Sequence, residues 1–433
     1  MEPLTIGILG LAGMIVMMFA GVPIGFAMGL AGFGGSAAII GLGPTLSLLG
    51  LTAFETAITN NLSIIPLFVL MGYFATNSGL SADLYRAFNV WFGYRRGGLA
   101  LATIGSCGTF AAICGSSIAT AATMSQIAMP EMRRYKYDDR LATGSIAAGG
   151  TIGILIPPSV ILALYGILTE TNIGDLFLAG VLPGILTIIA FMVTISILTN
   201  INPELGPRGD KSSPWEKLLA FRETWGMLVL FGLVIGGIYL GVFTPTEAAG
   251  VGAVGAFLLA VLRGRMTPRL FLASLVDTVS TTAMLFTILI GAILLNNLLV
   301  LSDTARTLSD WVGGLEMSNT WIMAVILLIY VVLGFALDAL AMVLLTVPIF
   351  FPIVLGLGFD PIWFGIIVVM VVELALITPP VGMNVFVIKG MVPDVPLSKI
   401  YAGVLPFAVA QAILIGVIFA FPEIATWLPT SAR

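Results

Sequence analysis

The stretch ILIPPSVILALYG, residues 154–166, is apolar enough to lie in a lipid bilayer, yet it carries two adjacent prolines. Proline has no backbone N–H and its ring clashes with the preceding turn, so an α-helix cannot run unbroken through the pair. In hydrocarbon each unsatisfied backbone group costs several kcal/mol. A broken membrane helix is therefore tolerated only where protein or a water-filled cavity supplies partners, and this stretch predicts such a place.

The composition around this stretch is that of a polytopic membrane protein. Of the 433 residues, 59% are hydrophobic and 9% are charged, and the mean hydropathy is +1.10. Apolar runs of about the 20 residues that a spanning helix needs recur along the chain. The first run has no basic flank and no cleavage site of small residues, so it is interpreted as a retained helix. The runs are 4–20, 23–42, 62–79, 97–129, 141–168, 174–199, 225–243, 247–262, 277–300, 320–357, 361–390 and 402–421.

The sequence offers little for an enzyme. Histidine, the commonest general base and metal ligand, is absent. The two cysteines, Cys107 and Cys114, share one apolar run and are interpreted as small buried residues. An intramembrane enzyme would have to rely on the carboxylates of Asp338 and Glu373 alone. We therefore predict that the chain is not an enzyme.

The proline pair occurs twice. IPPS at 156–159 corresponds to TPPV at 378–381, and AGVLP at 179–183 recurs at 402–406. Such internal repetition is typical of transporters built from two related halves. Further matched pairs are Pro23 with Pro245, Asn77 with Asn297, Asp83 with Asp303, Arg86 with Arg306, Trp91 with Trp311, Gly93 with Gly313, Pro130 with Pro352 and Asp138 with Asp360.

These matches predict two repeats, 1–199 and 223–433, joined by a polar cytoplasmic linker at 200–222. Each half is expected to contain three helices, a short amphipathic piece, a long Gly/Ser/Ala-rich segment, a broken helix and a final helix. The broken helices are predicted at 141–168 and 361–390. A single Pro-Pro pair could merely kink a crowded helix, but two in register favour a functional role.

The long segments 97–129 and 320–357 are predicted to be re-entrant hairpins. Their breaks at Gly115-Ser116-Ser117 and around Gly334 to Asp338 favour a return over a single tilted crossing. Each half then makes five crossings, and an odd number turns the second half upside down relative to the first. The predicted fold is therefore an all-α polytopic membrane protein with two inverted repeats of five transmembrane helices.

The distribution of basic residues supports the hairpins. With the N-terminus outside and ten crossings, all 18 lysines and arginines except Arg306 and Arg433 fall on the inside, as the positive-inside rule requires. Single crossings would put the clusters 86–96 and 133–140 on opposite faces. Both termini are predicted to lie outside. The residues placed inside are Arg86, Arg95, Arg96, Arg133, Arg134, Lys136, Arg140, Arg208, Lys211, Lys217, Arg222, Arg263, Arg265, Arg269, Lys389 and Lys399.

Polar residues at the breaks are the candidate ligands. Carbonyl and hydroxyl oxygens suit Na⁺, and half-helix N-termini suit a carboxylate. Asp338, which aligns with Ser116, and Glu373 are the carboxylates predicted deep in the membrane, where an ionisable group is by default functional. The alternatives are structural: a hydroxyl can bond to its own helix, and Glu373 can pair with a neighbouring amide or hydroxyl. Further side-chain oxygens are offered by Ser117, Thr120, Thr378 and Asn384.

With these residues the sequence resembles the large, DctM-like membrane subunit of the tripartite ATP-independent periplasmic (TRAP) transporters. The resemblance covers nearly the full length, and its motifs are specific when taken together. In order they are IPLFVLMGYFATNSGL (65–80), GSSIA (115–119), AMPEMRRYKYDDRLATG (128–144), GILIPPS (153–159), LFLAGVLPG (176–184), FTPTEAAGVGA (243–253) and LITPPVGMNVFV (376–387).

The resemblance implies an elevator-type secondary transporter of the bacterial inner membrane. It would use a Na⁺ gradient to import an organic acid of the C4-dicarboxylate or sugar acid class. A periplasmic binding protein would deliver the acid, and a separate small four-helix membrane subunit would brace the scaffold. Membrane lipid would surround the protein, and no nucleic acid partner is expected. The implied sodium ligands are Gly115, Ser116, Gly153, Pro157, Asp338, Thr378 and Pro379, and Ser117, Thr120 and Asn384 are assigned to the substrate.

Two other classes of transport protein remain open. A stand-alone Na⁺/dicarboxylate symporter has a similar plan of two inverted halves and needs no binding protein. An ion or solute channel would instead have a continuous pore and no coupling. The sequence does not name the substrate. Because no arginine or lysine falls in the predicted membrane core, a substrate carboxylate would be held by helix termini, amides and hydroxyls.

Overall fold

A computed structural model describes residues 2–314, 317–334 and 337–431, and within these ranges the regular structure is helical, as predicted. Arg433 and residues 335–336 of the predicted second hairpin tip lie outside the described residues. The helices of the first half are α1 (Pro3–Phe19), α2 (Ile24–Ile40), α3 (Leu42–Ile58), α4 (Ile64–Asn77), α5 (Leu80–Phe92), α6 (Gly98–Cys114), α7 (Ser117–Arg134), α8 (Asp139–Thr151), α9 (Val160–Thr169) and α10 (Ile173–Ile201).

The second half follows the same order of helices. Short 3₁₀ turns precede it in the first half and the linker, at Asn60–Ser63, Ile152–Ile154 and Pro203–Leu205. The helices are α11 (Pro214–Tyr239), α12 (Pro245–Leu262), α13 (Pro268–Leu301), α14 (Thr304–Gly313), α15 (Asn319–Leu333), α16 (Ala339–Gly356), α17 (Pro361–Ala375), α18 (Met383–Met391), α19 (Leu397–Ala420) and α20 (Glu423–Ser431).

Residues paired by the repeat have the same local role. Asp138 begins α8 and Asp360 begins α17, and each carboxylate accepts a hydrogen bond from a backbone N–H of the first turn. Ser116 and Asp338 begin α7 and α16 in the same way. A side-chain oxygen at this position satisfies one of the four free N–H groups of a helix N-terminus. The repetition in the sequence therefore corresponds to repeated helix starts.

The two halves differ in two places. α20, which follows α19, has no α-helical counterpart in the described residues after α10. α13 is a single helix of 34 residues, whereas the corresponding part of the first half is divided into α3 and α4 by the turn Asn60–Ser63. No apolar run was predicted over 43–61, where α3 lies. Two of its three threonines are satisfied internally, since Thr45 and Thr56 donate to carbonyls one turn earlier at 2.8 and 2.7 Å. Such back-bonded hydroxyls lower the hydropathy without preventing a helix.

Length and composition alone identify fewer spans than the ten crossings predicted. Among the described residues, five helices are long and apolar enough to cross a membrane, or seven if each of two bent pairs is one span. The other crossings would use shorter apolar helices. α1 and α2 have 17 residues each, the low end of the spanning range of about 17–25. The broken helices would cross as two halves, α8 with α9 and α17 with α18.

The predicted linker is ordered where it meets the first half. Gly206 accepts a hydrogen bond from the N–H of Gly97 at 2.8 Å, and Gly209 donates to the carbonyl of Gly93 at 2.9 Å. The hydroxyl of Tyr135 donates to Asp210 at 2.8 Å, which raises the pKa of Tyr135. Residues 214–222 belong to α11. The connection between the halves is thus fixed to the base of the first hairpin.

The helices pack as two groups. α1–α4 pack with α11–α13, and in this group a Cβ on Gly291 would lie 2.2 Å from the carbonyl oxygen of Gly25. α6–α10 pack with α15–α20, and here a Cβ on Gly144 would lie 2.3 Å from the carbonyl oxygen of Gly403. α5 and α14 connect the two groups in sequence. Both hairpins and both broken helices belong to the second group.

Candidate functional site

The first hairpin turns at Gly115. α6 ends at Cys114, Gly115 has a φ of +62°, and Ser116 begins α7 by accepting a hydrogen bond from the N–H of Ala119 at 3.3 Å. Glycine adopts this left-handed conformation without the strain that a side chain would add. A Cβ on Gly115 would lie 3.3 Å from the carbonyl oxygen of Pro158. The predicted hairpin tip therefore contacts the predicted Pro-Pro break.

The first break separates α8 from α9 at a cis Pro157-Pro158 peptide. Pro157 has no N–H to donate to the carbonyl of Gly153 one turn earlier. Ser159 compensates for part of the break, since its hydroxyl donates to the carbonyl of Ile154 at 2.5 Å and accepts from a backbone N–H of α9. Both prolines are buried. The break thus frees the carbonyls of Gly153 and Ile154 from their helical donors, and Ser159 takes that of Ile154.

Gly153 also faces the hairpin. A Cβ at this position would lie 3.2 Å from the carbonyl oxygen of Ser116 and 3.3 Å from the Oγ1 atom of Thr120. The missing side chain leaves room for the backbone of the tip to approach the break. Gly115, Ser116, Gly153 and Pro157, all predicted from the sequence, are thus parts of one structural cluster.

α18 of the second half reaches into this cluster. The Nδ2 atom of Asn384 donates to the carbonyl of Ala147 at 3.2 Å. A Cβ on Gly150 would lie 3.2 Å from that same Nδ2 atom and 2.8 Å from the Cβ of Ala121. α7, α8 and α18 therefore converge, and Asn384 joins a site otherwise built from the first half.

Two oxygens in this cluster are buried without a hydrogen bond. Thr120 and Asn384 are fully buried, and Thr120 Oγ1 and Asn384 Oδ1 make no hydrogen bond. Thr120 lies beside the thiol of Cys114. Buried polar atoms are nearly always paired, because leaving one unpaired costs roughly 1–3 kcal/mol. These two oxygens are therefore the strongest ligand candidates in the cluster. Ser117, the third residue assigned to the substrate, is buried in the first turn of α7.

The second hairpin meets the second break in a similar way. A Cβ on Gly334, just after α15, would lie 2.2 Å from the Cβ of Ala375 at the end of α17. Asp338 is half-buried and begins α16, and its Oδ1 atom accepts from the N–H of Ala341 at 2.9 Å. This hydrogen bond stays within the segment of Asp338, and the first-half cluster described above does not include it.

The second break is more open than the first. Pro379 and Pro380, joined by a cis peptide, are exposed. The hydroxyl of Thr378 donates to the carbonyl of Leu374 at 2.5 Å. Because its hydrogen is used inside the protein, the lone pairs of that hydroxyl remain for a cation. Gly382, with a φ of +62°, begins α18.

Tyr401 is a contact of the second break that was not predicted. Its hydroxyl lies 2.7 Å from the carbonyl oxygen of Pro380 and 2.6 Å from that of Val381. The hydroxyl has one hydrogen, so it donates to one carbonyl at a time. The signal available in the sequence was its place directly before the repeated AGVLP at 402–406.

Glu373 has a partner in α19. It is fully buried, and its Oε2 atom accepts a hydrogen bond from the Nε2 atom of Gln411 at 2.8 Å. This contact is the structural alternative given above for Glu373, in which its carboxyl group pairs with a neighbouring amide. Cys107 and Cys114 are buried free thiols, as interpreted.

Ion pairs join the halves at the ends of the helices. Arg133 contacts Asp394 at 2.5 Å and Asp139 at 3.5 Å, and Lys399 contacts Asp139 at 3.3 Å. Segments 133–140 and 389–399 were both predicted to lie inside, so these contacts agree with that placement. The hydrogen bond from Arg133 lowers the pKa of Asp394.

The pair between Arg133 and Asp394 predicts a pH dependence. Because the folded protein lowers the pKa of Asp394, its contribution to stability is present above the ordinary carboxyl pKa of about 3.9 and is lost as the pH falls through the lowered pKa. We expect Asp394→Asn to lower the thermal midpoint slightly at pH 7, with the difference shrinking in acid. Asp310→Asn, whose carboxylate lies 3.9 Å from the exposed Arg306 in the same helix, should change little at either pH. An Asp394→Asn deficit that grows in acid would contradict this.

The chain is built from two matched halves of membrane helices, and in each half a hairpin tip meets a helix broken at a Pro-Pro pair. This arrangement is that of a secondary transporter. A family model described as "Tripartite ATP-independent periplasmic transporter, DctM component" matches residues 11–424. The chain belongs to this family, as a large permease subunit. Members of this family are transporters. The prediction that the chain is not an enzyme is inferred from its membership of this family.

Curated relatives and a solved structure agree with this family and fold. The chain is 36% identical to the C4-dicarboxylate TRAP transporter large permease protein DctM of Pseudomonas aeruginosa, over 88% of this chain and 89% of the relative. It is 31% identical to the sialic acid TRAP transporter large permease protein SiaM of Vibrio cholerae, over 96% and 97%. The fold is similar to the crystal structure of the Alcanivorax borkumensis YdaH transporter, with a TM-score of 0.67, 14% identity and 90% of each chain covered.

Proposed function

We propose that this permease imports an organic acid across the bacterial inner membrane, driven by a Na⁺ gradient. A periplasmic binding protein delivers the acid, and a separate small membrane subunit completes the complex. The observation that carries the proposal is the cluster in which the first hairpin tip, the first break and α18 meet around two unpaired buried oxygens. Family membership supports the two protein partners, and the names of the relatives support an acid as the substrate.

The cluster fits a small desolvated cation. Its unpaired buried side-chain oxygens are Thr120 Oγ1 and Asn384 Oδ1, and the carbonyl of Gly153 lacks its helical donor because Pro157 has no N–H. None of these three oxygens carries a formal charge. Neutral carbonyl and hydroxyl oxygens are hard ligands that suit a hard cation such as Na⁺. Thr120 and Asn384 were assigned to the substrate from the sequence. Because both are fully buried, we propose that their oxygens hold the ion.

The acid is proposed to bind at the more open second break. Pro379 and Pro380 are exposed, and the N-terminus of α18 begins directly after them at Gly382. The dipole of a helix N-terminus favours a carboxylate, and here it acts mainly through its field, because the N–H groups of Asn384 and Val385 already donate to the carbonyls of Leu376 and Gly382. Both of the relatives named above are named for acids, a C4-dicarboxylate and a sialic acid. Which acid this chain carries is left to the uptake measurement.

An elevator motion is proposed for the two helix groups. A cavity of about 360 Å³ lies between α3 and α13 of one group and α9 and α16 of the other. Glu55 and Asn296 line the first side, and Ile167 and Phe351 line the second. Incomplete packing at this boundary supports a sliding of the hairpin group past the other. We propose that the group of α6–α10 with α15–α20 carries ion and acid across the membrane.

The proposed topology places both termini in the periplasm. Two contacts described above support it, because Arg133 pairs with Asp394 and Lys399 pairs with Asp139 between segments predicted inside. On the other side, Gly7 in α1 packs closely against Ser302 at the start of α14. Arg306 is near the start of α14, and the distribution of basic residues predicts it to lie outside, on the same side as the N-terminus.

Uptake into liposomes tests the proposal. The chain is reconstituted with its small subunit, and uptake of C4-dicarboxylates and sugar acids is measured with and without an inward Na⁺ gradient, and with and without the binding protein. We expect uptake only when both are present. Uptake that needs Na⁺ but not the binding protein would indicate a stand-alone symporter, and uptake that needs neither would indicate a channel.

A further inference from the structure

A pocket rich in arginine lies away from the transport cluster, where the start of α5 meets α11 and the end of α12. Its volume is about 330 Å³. Its described lining combines four arginines with one carboxylate and one indole, so positive charge dominates it. We call it the arginine pocket, and its lining residues are Asp83, Arg86, Arg222, Trp225, Arg263 and Arg265.

The base of the arginine pocket is a buried ion pair. Arg263 forms a salt bridge with Asp83, and the two side chains are 21% and 12% exposed. The carboxylate of Asp83 is therefore already matched by one arginine. Arg86, Arg222 and Arg265 are exposed around this pair. A ligand entering the pocket would thus contact guanidinium groups, while the negative charge of Asp83 at the base is balanced by Arg263.

Arg265 lies close against the backbone of Gly79. It lies directly over Gly79, where a Cβ would be 1.6 Å from the Nη1 atom of the guanidinium. Gly79 has a φ of +72° at the start of α5. The absence of a side chain at Gly79 therefore leaves the space in which the guanidinium of Arg265 forms one wall of the pocket.

The pocket opens onto an apolar helix face. Trp225 in α11 is 51% exposed, and Leu228, Val229 and Leu233 follow it with exposures of 44%, 56% and 43%. Tryptophan is enriched where the hydrocarbon of a bilayer meets its headgroups. This arrangement favours a position of the arginines at headgroup depth, with the apolar face beyond Trp225 toward the acyl chains.

We propose that the arginine pocket binds the phosphate headgroup of an anionic phospholipid, with its acyl chains along α11. Guanidinium groups form bidentate, charge-assisted hydrogen bonds with phosphate. Basic pockets between membrane helices on the cytoplasmic side are suited to such headgroups. A free phosphate ion shares this chemistry but makes no use of the apolar face. The continuity of arginines, Trp225 and apolar surface favours the lipid.

Quenching of Trp225 by brominated lipids tests the site in the full-length protein. The purified chain is reconstituted in mixtures of brominated phosphatidylglycerol or brominated phosphatidylcholine. The part of the quenching that disappears in Trp225→Phe is assigned to Trp225. We expect this part to favour the anionic lipid by about five-fold for each arginine that contacts it. The double variant Arg222→Gln/Arg265→Gln should lower the preference by about five-fold for each arginine removed, leaving the contribution of Arg86.

The matched control is Arg134→Gln, an exposed arginine at the end of α7, which should keep the full preference. Inorganic phosphate added at millimolar concentration should not reduce the preference. Equal quenching of wild-type Trp225 by both lipids, or a preference that is undiminished in the double variant, would overturn the lipid site. A preference abolished by inorganic phosphate would show a site for a free anion instead. The elution volume in size-exclusion chromatography verifies that each variant is folded.

Discussion

Replacing Thr120 with valine should abolish Na⁺-driven uptake while leaving the protein as stable as before, or more stable, in Na⁺-free buffer. Valine keeps the shape of threonine and removes only the hydroxyl. In the structure this hydroxyl is fully buried, and its only hydrogen-bonding neighbour among the described residues is the thiol of Cys114, a weak partner, so its removal relieves much of a desolvation cost of about 1–3 kcal/mol. Removal of one oxygen that contacts a charged ligand lowers the affinity for that ligand roughly ten- to a hundred-fold.

Thermal unfolding separates the two effects of this variant. In the wild type, added Na⁺ should raise the unfolding midpoint, because an ion that binds the folded state stabilises it. In Thr120→Val this shift should be smaller. Thr194→Val is the matched control, since the Thr194 hydroxyl donates only to Ala190 of its own helix at 2.8 Å. A Thr120→Val protein with full Na⁺-coupled uptake would remove Thr120 from the ion site.

Replacing Gly403 with valine should destabilise the protein strongly. A Cβ on Gly403 would lie 2.0 Å from the carbonyl oxygen of Arg140, and Gly144 on the facing helix would in turn meet Gly403. Both partners are backbone atoms, so relief requires α8 and α19 to separate. Overpacking of this kind costs about 1–3 kcal/mol, and more where the backbone must move.

Gly416→Val is the control for this prediction. Gly416 lies in the same helix α19, is exposed, and has nothing within 4 Å of its Cβ position. Both variants place the same β-branched residue in the same helix, so the difference between them measures the contact with α8. We expect lower yield and a lower thermal midpoint for Gly403→Val alone. Equal midpoints for the two variants would contradict the close packing of α8 and α19.

The features of the fold that follow from local chemistry were predictable. Proline pairs at 157–158 and 379–380 dictate where helices break, because the missing N–H groups act on their own segment. Asp138 and Asp360 recur before helix starts for a similarly local reason, since their side chains cap the first turn. The helix α3 was missed because its threonines lower the hydropathy, although they bond to their own backbone.

The site was predictable only in part. The sequence pointed to Gly115, Ser116 and Gly153 through the hairpin tip and the break, and the structure brings these together. It did not show that Asn384 from the second half would reach the first break, because that contact joins residues far apart in the chain. The same holds for Tyr401 at the carbonyls of the second break. Such partners depend on how helices pack, which residue spacing does not encode.

Equilibrium binding of radioactive Na⁺ to the purified protein tests the central claim most directly. The measurement compares the wild type, Thr120→Val and Thr194→Val in the absence of substrate, with K⁺ as the competing ion. We predict saturable Na⁺ binding to the wild type and to Thr194→Val, and binding weakened by at least about ten-fold in Thr120→Val. Saturable binding that is equal in all three proteins would contradict an ion site where the first hairpin tip, the first break and α18 meet.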